Sequence, residues 1–294
     1  CAGAGAWRWV LDWLVIAVVA VPHKRGLWNG NPAWWDVGQR QPEVGGVAGG
    51  PDSSRSCLIA PAAQAYSPIT GSDEMPQAVA DHYNRYYRRD KKQYTAANVG
   101  IAQGGRLMLS RVFGAVQGRM GYQVPDYTAY QDMMDYAASR LEPVLIPTTE
   151  ENNFSIPATE FAEAARTLDS FLISNPCNPT GHVIQGGELA SYCETARREG
   201  CTLIMDEFYS HFIYEGEQPG TGPVSSDKFV DDPDTDPLLV IDGLTKSFRY
   251  PGWTVGWVLG PPQMVATFGR AARAIEVGSR RVTQTMAIAA LAPS

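Results

Sequence analysis

Hydrophobic and polar residues follow an ordered pattern from about residue 97 onward. Short apolar runs alternate with segments in which apolar residues recur every three or four positions, such as Leu109, Val112, Phe113 and Val116. The runs predict buried strands, and the three-to-four spacing predicts amphipathic helices. The predicted strands are 98–102, 121–124, 143–147, 170–174, 201–205, 238–241 and 255–259, and helices are predicted around 105–116, 127–139, 159–168 and 188–199.

The predicted strands are apolar along their whole length, which is typical of strands covered on both faces. Alternation of such strands with amphipathic helices predicts an α/β fold, a three-layer sandwich around a mostly parallel sheet. In open sheets of this kind, ligands bind beyond the carboxyl ends of the strands. We therefore look for chemistry in the segments that directly follow the predicted strands.

Composition narrows the class of protein. With 294 residues, 44% hydrophobic and 19% charged, the chain is expected to be globular. Its net charge of −7 argues against a nucleic-acid partner. The basic run 88–92 is predicted to be a solvated helix end. Five cysteines and four histidines lack metal-ligand spacing, which predicts a reduced, cytoplasmic protein with no metal site.

The first 60 residues do not follow the ordered pattern. They are rich in Gly, Pro and Trp after an apolar run at 13–21, and this run is short for a membrane span. We therefore predict an irregular segment at 1–60 and no membrane association. The ordered pattern predicts one large domain over 61–280.

Residues with candidate chemical roles follow four of the predicted strands. Gly104 and Gly105 come after the first, Asn178 after the fourth, Asp206 after the fifth and Lys246 after the sixth. A lysine beside a buried strand is unusual, because lysine is rarely buried without a partner or a chemical role. One such role is a Schiff base, for which desolvation keeps the amine nucleophilic.

Three motifs give this arrangement a resemblance. They are NPCNPTG at 175–181, DEFY at 206–209 and TKSFRYPGW at 245–253, with 28 residues from Asn178 to Asp206 and 40 from Asp206 to Lys246. In this order they resemble the class I/II aminotransferases, pyridoxal-phosphate enzymes of fold type I. The similarity extends from about Tyr66 to residue 280. It implies that 61–280 is the cofactor-binding large domain and that 281–294 begins a C-terminal small domain that is cut short.

The resemblance implies roles for residues around the cofactor ring. Lys246 would hold pyridoxal 5′-phosphate as a Schiff base and then act as general base and acid. Asp206 would pair with the pyridine nitrogen, and Tyr127 would stack on the ring. Asn178 and Tyr209 would contact the phenolic oxygen. Catalysis is accordingly assigned to Lys246, Asp206 and Tyr127.

It also implies a phosphate site. Gly104, Gly105 and Arg106 resemble the turn that holds the phosphate at a helix N-terminus, and Thr245 belongs to the lysine motif beside it. Tyr66 resembles a residue that reaches the phosphate of a neighbouring subunit, which implies a homodimer. The resemblance thus implies cofactor contacts from this phosphate site and also from Tyr127, Asn178, Asp206, Tyr209, Lys246 and Arg249.

One position departs from the family pattern. The motif that begins at Lys246 usually ends in Pro-Gly-x-Arg, and the arginine binds the phosphate. Thr254 occupies this position and brings no charge. Loss of a bidentate arginine–phosphate contact lowers affinity by about ten- to several-hundredfold. Arg249, three residues beyond Lys246, is a candidate to compensate.

The function implied is transfer of an amino group between an α-amino acid and a 2-oxo acid. Alternatives remain open at this stage: a lyase, decarboxylase, racemase or oxidase of the same fold, or a catalytically impaired relative that acts as a binding protein. A dinucleotide-binding oxidoreductase is a weaker alternative, because G-x-G-x-x-G is absent from the sequence. The side chain of the amino-acid substrate does not follow from the motifs.

Overall fold

The structure, a computed structural model, describes residues 66–214, 224–276 and 278–292. The predicted irregular segment 1–60 and its apolar run therefore lie outside the described residues. Within the described part, seven strands form one sheet in the order β1-β7-β6-β5-β4-β2-β3. The strands are β1 (Val99–Ala102), β2 (Gly118–Val124), β3 (Leu141–Pro147), β4 (Ser170–Ser174), β5 (Thr202–Asp206), β6 (Leu238–Gly243) and β7 (Gly256–Leu259).

The sheet is mostly parallel, as predicted. Strand β7 runs antiparallel to both of its neighbours, β1 and β6, whereas β6, β5, β4, β2 and β3 pair in parallel. All seven predicted strands are confirmed. The largest difference is at β2, which begins at Gly118 because its first residues pair with β3 from Leu141 onward.

Seven α-helices are described. They are α1 (Glu74–Tyr87), α2 (Gly105–Ala115), α3 (Ala129–Tyr136), α4 (Ala158–Ala165), α5 (Gly186–Glu199), α6 (Pro262–Ile275) and α7 (Arg281–Leu291). Helices α2, α3, α4 and α5 are the four predicted from the sequence, although α3 is shorter than predicted.

Side chains from the two faces of the sheet enter different cores, because successive strand residues point to opposite faces. Leu172 and Ile204 pack with side chains of α2, α3 and α6 on one face. Phe171 and Leu203 pack with α4 and α5 on the other. Helices α1 and α7 pack over β1 and β7 in a third cluster that includes Trp257. The three-layer α/β sandwich is thus confirmed.

The basic run 88–92 is exposed as predicted from Arg89 to Lys92 and differs from its prediction as a solvated helix end at Arg88. Arg88 follows the last residue of α1 and its side chain is fully buried. Its guanidinium donates to the carbonyl oxygens of Lys92 and Val230, at 2.6 and 2.9 Å. Lys92 is exposed and pairs with Asp232 at 2.7 Å. A guanidinium has five donors, so it can be buried where backbone carbonyls surround it.

Within the described ranges, no helix is long and apolar enough to cross a membrane, and no group of three or more His, Cys, Asp or Glu side chains could hold a metal ion.

Helix α7 contains most of the segment 281–294 and packs on α1. Its Gln284 accepts a hydrogen bond from Ser72 N, just before α1, at 2.7 Å. The division of the chain into 1–60, 61–280 and 281–294 stays a prediction.

Candidate active site

The register of the sheet brings the predicted site residues to one edge. Ser174, Asp206 and Ile241 are adjacent partners at the carboxyl ends of β4, β5 and β6. The segments that carry Asn178 and Lys246 leave the sheet just beyond this row. Because neighbouring strands of a sheet lie close together, residues from distant parts of the sequence meet at this edge.

Asp206 ends β5 with a buried side chain. Its Oδ2 accepts a hydrogen bond of 2.7 Å from the hydroxyl of Tyr130 on α3. Burial raises the pKa of Asp206 to about 6, because desolvation disfavours the charged carboxylate, and the Tyr130 hydrogen bond acts in the opposite direction. The result is a carboxylate that is ionised at neutral pH and protonated a little below it.

The loop after β4 is closed by the side chain of Asn175, which is fully buried. Its amide exchanges two hydrogen bonds of 2.8 Å with the backbone of Ile184. Cys177 N donates to the carbonyl of His182, also at 2.8 Å, and holds the turn between them. Asn178 is half-buried on this loop, and its backbone N donates to Ser174 Oγ at 3.0 Å.

The segment with Lys246 is fixed to the DEFY segment. Ser247, the next residue, donates through its backbone N and its Oγ to the carbonyl oxygen of Phe208, at 3.1 and 2.8 Å. Lys246 Nζ lies 5.8 Å from the centroid of the Tyr209 ring, and both residues are half-buried. The lysine amine is therefore held near the phenol of Tyr209 at the same edge as Asp206.

The Gly104–Gly105 turn begins α2 in a conformation that requires glycine. Gly104 has φ of +84°, which is rare for residues with a side chain. A Cβ on Gly105 would lie 2.5 Å from the ring of Phe208. The same close packing occurs at Gly256, whose added Cβ would lie 2.8 Å from the carbonyl carbon of Gly104. Glycines thus let β7, the DEFY segment and α2 approach one another.

Arg106, in the first turn of α2, reaches Tyr127. Its Nε and one terminal nitrogen donate to the Tyr127 hydroxyl at 3.0 and 2.8 Å. Thr254 lies beside the same turn, because its Cα would be 3.9 Å from a Cβ on Gly104. Thr254 is exposed and has a left-handed backbone, φ +49°. The position where the family pattern has arginine is thus next to the glycine turn.

Two further predicted residues lie in the lysine segment, and a third lies at the start of the described residues. Thr245 is half-buried directly before Lys246. Arg249 has φ of +63° and donates its backbone N to Lys246 O at 2.9 Å, which tightens the lysine turn. Tyr66, at the start of the described residues, has 85% of its surface exposed.

Several polar residues at this edge did not emerge from the sequence. Tyr130, three residues beyond Tyr127, packs its ring at 90° against that ring and binds Asp206. Asp126 and Ser174 form a hydrogen-bonded pair 48 residues apart. Tyr130, in the first turn of α3, follows Tyr127 by three residues, and Asp126 stands inside the Pro-Asp-Tyr segment. Those spacings are signals that sequence reasoning could have used.

Comparison with known proteins gives the family. Residues 52–294 match aminotransferase class I and II. A probable aspartate/prephenate aminotransferase of Thermus aquaticus is 28% identical over 206 residues, 68% of this chain and 50% of that protein. An asparagine–oxo-acid transaminase of Streptococcus mutans is 26% identical over 212 residues, 70% of this chain and 51% of that protein. The chain thus spans about half the length of these curated relatives.

Solved structures agree on the fold. Aspartate aminotransferase from Thermus thermophilus with maleate has a TM-score of 0.71 at 22% identity, covering 94% of this chain and 69% of that one. The aspartate aminotransferase from Rhizobium meliloti has a TM-score of 0.73 at 18% identity, covering 96% and 68%. The family match covers most of the chain, and its motifs meet at one edge of the sheet. The chain belongs to the class I and II aminotransferase family.

Proposed function

We propose that the protein is a pyridoxal-phosphate-dependent aminotransferase that moves an amino group between an α-amino acid and a 2-oxo acid. The observation that carries this proposal is the meeting of a half-buried lysine, a buried aspartate and a glycine turn at one sheet edge. The relatives act on aspartate, asparagine or arginine by name. They support the class of reaction and not one particular side chain of the substrate.

The residues present fit the cofactor. Pyridoxal phosphate needs an amine for its aldehyde, an acid for its ring nitrogen and donors for its phosphate. Lys246 and Asp206 supply the first two at adjacent strand ends. The first amides of α2 have no partner within the helix, and the turn before them has no side chain to block an anion. Arg106 adds a positive charge in the same helical turn.

Lys246 would do the proton transfer. Its Nζ would accept the proton from the substrate Cα and hold it for the later return step. When bound, pyridoxal phosphate supplies an electron sink for the pair left on Cα. The Ser247–Phe208 hydrogen bonds hold the lysine segment in place, so the amine swings from a fixed backbone. A fixed base within reach lowers the entropic cost of proton transfer.

Asp206 would hold a proton on the ring nitrogen. With a pKa of about 6 its carboxylate is charged at neutral pH, and a buried charge gains from a cationic partner. Tyr130 donates to Oδ2, and the backbone N of Phe208 donates to Oδ1 at 3.5 Å, so both hydrogen bonds orient the carboxylate. Tyr127 would cover the face of the ring, and Asn178 and Tyr209 would donate to its phenolic oxygen.

The phosphate would bind at the turn formed by Gly104, Gly105 and Arg106. Thr245, beside Lys246, would contribute its hydroxyl. We assign Arg249 a place in this group because its backbone closes the lysine turn. Thr254 contributes no charge. Arg106, in the first turn of α2, would therefore supply positive charge to the phosphate.

The assembly is also part of the proposal. Tyr66 is exposed, as a residue that reaches a neighbouring subunit would be in an isolated chain. We therefore propose a homodimer in which Tyr66 contacts the phosphate bound by the partner. We propose a cytoplasmic enzyme, since Cys177, Cys193 and Cys201 are free thiols.

Reductive labelling tests the site. Borohydride added after pyridoxal phosphate should fix the cofactor on Lys246, and peptide mass spectrometry should find the label there. Lys246→Ala should abolish labelling, whereas Lys92→Ala, which removes an exposed lysine, should not change it. Recovery of the label on another lysine alone would refute the site.

Turnover tests the reaction. An α-amino acid supplied with 2-oxoglutarate should yield glutamate. Release of ammonia or carbon dioxide without glutamate would instead support a lyase or decarboxylase. Cofactor binding with no reaction would support a catalytically impaired relative.

A further inference from the structure

A buried carboxylate joins the two loops that flank the proposed ring site. Asp126 lies between β2 and Tyr127, and its residue is only 6% exposed. Its Oδ1 accepts from the backbone N of Tyr127 at 2.7 Å and from Ser174 Oγ by a short hydrogen bond. Its Oδ2 accepts from the backbone N of Ser174 at 3.2 Å. Three donors from two segments thus converge on one carboxyl group.

The connection continues to the other loop. Ser174 Oγ donates to Asp126 and accepts from the backbone N of Asn178 at 3.0 Å. An unbroken chain of hydrogen bonds therefore runs from Tyr127 through Asp126 and Ser174 to Asn178. Within the sequence these groups are 51 residues apart, from 127 to 178. In this chain the carboxyl of Asp126 and the hydroxyl of Ser174 are the links. Cys177 Sγ makes a separate, weaker contact between the same segments, 3.8 Å from the carbonyl oxygen of Pro125.

We propose that Asp126 is a positioning residue of the cofactor site, which sets the separation between the Tyr127 ring and Asn178. The proposal rests on the proposed function, because it assigns Tyr127 and Asn178 to the cofactor. Asp126 acts through these residues and does not touch the cofactor.

The cost of keeping Asp126 in this place supports a role beyond packing. Burial raises the pKa of Asp126 to about 7, while the hydrogen bonds from Ser174 and Tyr127 lower it. The nearby charge of Asp206 raises the pKa further. A neutral residue would avoid this cost in a position that only needed to be filled. What a neutral residue lacks is the capacity to accept on both oxygens.

Asp126→Asn therefore breaks the connection whichever way its amide is turned. Asparagine has one acceptor oxygen, and the backbone N–H groups of Tyr127 and Ser174 bind different oxygens of Asp126. One of them must face an NH2 group, so the two loops cannot both keep their present positions. Ser174→Ala removes both hydrogen bonds of the hydroxyl, to Asp126 Oδ1 and from the backbone N of Asn178, and leaves the backbone hydrogen bonds to Asp126 in place.

The experiment measures cofactor binding and the spectrum of the bound cofactor. Pyridoxal phosphate is titrated into wild type, Asp126→Asn and Ser174→Ala, and visible circular dichroism is recorded at saturation. We expect Asp126→Asn to weaken binding about tenfold, the effect of losing one hydrogen bond to a charged group. We expect the visible band to change in intensity, because the ring orientation follows Tyr127. Ser174→Ala should change binding in the same direction.

Asp169→Asn is the matched control. Asp169 sits at the opposite end of the same strands, is exposed, and accepts a 2.7 Å hydrogen bond from Arg119 N. It should bind like wild type. Affinity and visible band unchanged in Asp126→Asn would overturn the inference, as the residue would then be structural only. If Asp126→Asn does not fold, unchanged binding by Ser174→Ala overturns it instead. Failure of wild type to bind the cofactor would refute the proposed function.

Discussion

At the scale of single residues, the site depends on charges that the fold makes costly. Asp206 is buried at a strand end, and hydrogen bonds from the hydroxyl of Tyr130 and the backbone N of Phe208 stabilise its ionised form. A cationic ring nitrogen would be a much stronger partner than a neutral donor. The ionised Asp206 is therefore expected to bind a cationic ring nitrogen tightly.

Asp206→Asn should make this visible through pyridoxamine phosphate, which binds without a bond to Lys246. At pH 7.5 the variant should bind about tenfold or more weakly than wild type, since a charged hydrogen bond is lost. The ratio of the two affinities should shrink as pH falls below 6, because the carboxylate of the wild type, with a pKa of about 6, becomes protonated. Calorimetry from pH 5 to 8 measures both. A ratio independent of pH would contradict the role of the charge.

Thr254 offers a gain-of-binding prediction. Thr254→Arg should raise the affinity for pyridoxal phosphate by about tenfold or more, because a guanidinium would lie beside the Gly104 turn. The left-handed backbone at φ +49° does not oppose the change, since it is harder for a β-branched residue to adopt than for arginine. Fluorescence titration gives the affinity. Pyridoxal, which lacks the phosphate, is the control, and an equal gain for both ligands would contradict the prediction.

At the scale of elements, the strands and the helices differ in how far the sequence predicts them. Strands β4 and β5 each have an uninterrupted apolar centre, 171–173 and 203–205, so their pattern favours a buried strand. Helix α1 was not predicted, because its buried face includes His82, Tyr83 and Asn84 among the apolar residues. Tyr83 and Asn84 are buried with hydrogen-bond partners from other segments. Such partners do not show in a local pattern of hydrophobicity.

The same limit applies to the candidate site. Lys246, Asp206 and Asn178 were predicted because each stands in a recognisable motif after a strand. Tyr130 and Asp126 were missed because their roles come from contacts with residues 76 and 48 positions away. Motifs identify groups that touch a ligand, whereas the residues that orient those groups are defined by the register of the sheet.

Helices α2 and α6 are joined by a buried ion pair. The side chains of Arg111 and Glu276 are 1% and 8% exposed and lie 2.7 Å apart, and Arg111 also donates to the carbonyl of Ile101. Arg111→Met should lower the free energy of unfolding by about 3 kcal/mol, because Glu276 is left buried without its partner. Urea denaturation measures the change.

The controls separate burial from pairing. Lys92→Met removes the exposed pair with Asp232 and should cost about 1 kcal/mol or less. Replacing both Arg111 and Glu276 by Met should recover part of the loss, since no unpaired charge then remains. A loss for Arg111→Met no larger than that for Lys92→Met would show that the pair is not buried in solution.

At the scale of the whole molecule, carboxyl groups accumulate beneath the site edge. Burial raises the pKa of Asp126 and Glu207 to about 7, of Asp206 and Asp227 to about 6, and that of Asp242 upward as well. Each group keeps its proton in the folded protein at a pH where the unfolded chain has lost it. The folded protein therefore binds more protons than the unfolded chain between about pH 4 and 7.

The free energy of unfolding without cofactor should accordingly fall as pH rises from 5 to 7. Each such group contributes at most about 1.4 kcal/mol per pH unit, and its contribution fades as the pH passes its own pKa in the folded protein. His82 and His211 oppose this trend, because burial lowers the pKa of each to about 4 and stability is lost as pH falls from about 6.5 toward 4. Two histidines do not cancel the five carboxyl groups. Glu207→Gln should make the fall of the unfolding free energy with pH less steep, by the contribution of about one proton. The exposed Glu163→Gln should leave the slope unchanged. Urea unfolding at pH 5, 6 and 7 measures the slope, and a stability that rises with pH would contradict the buried arrangement of these acids.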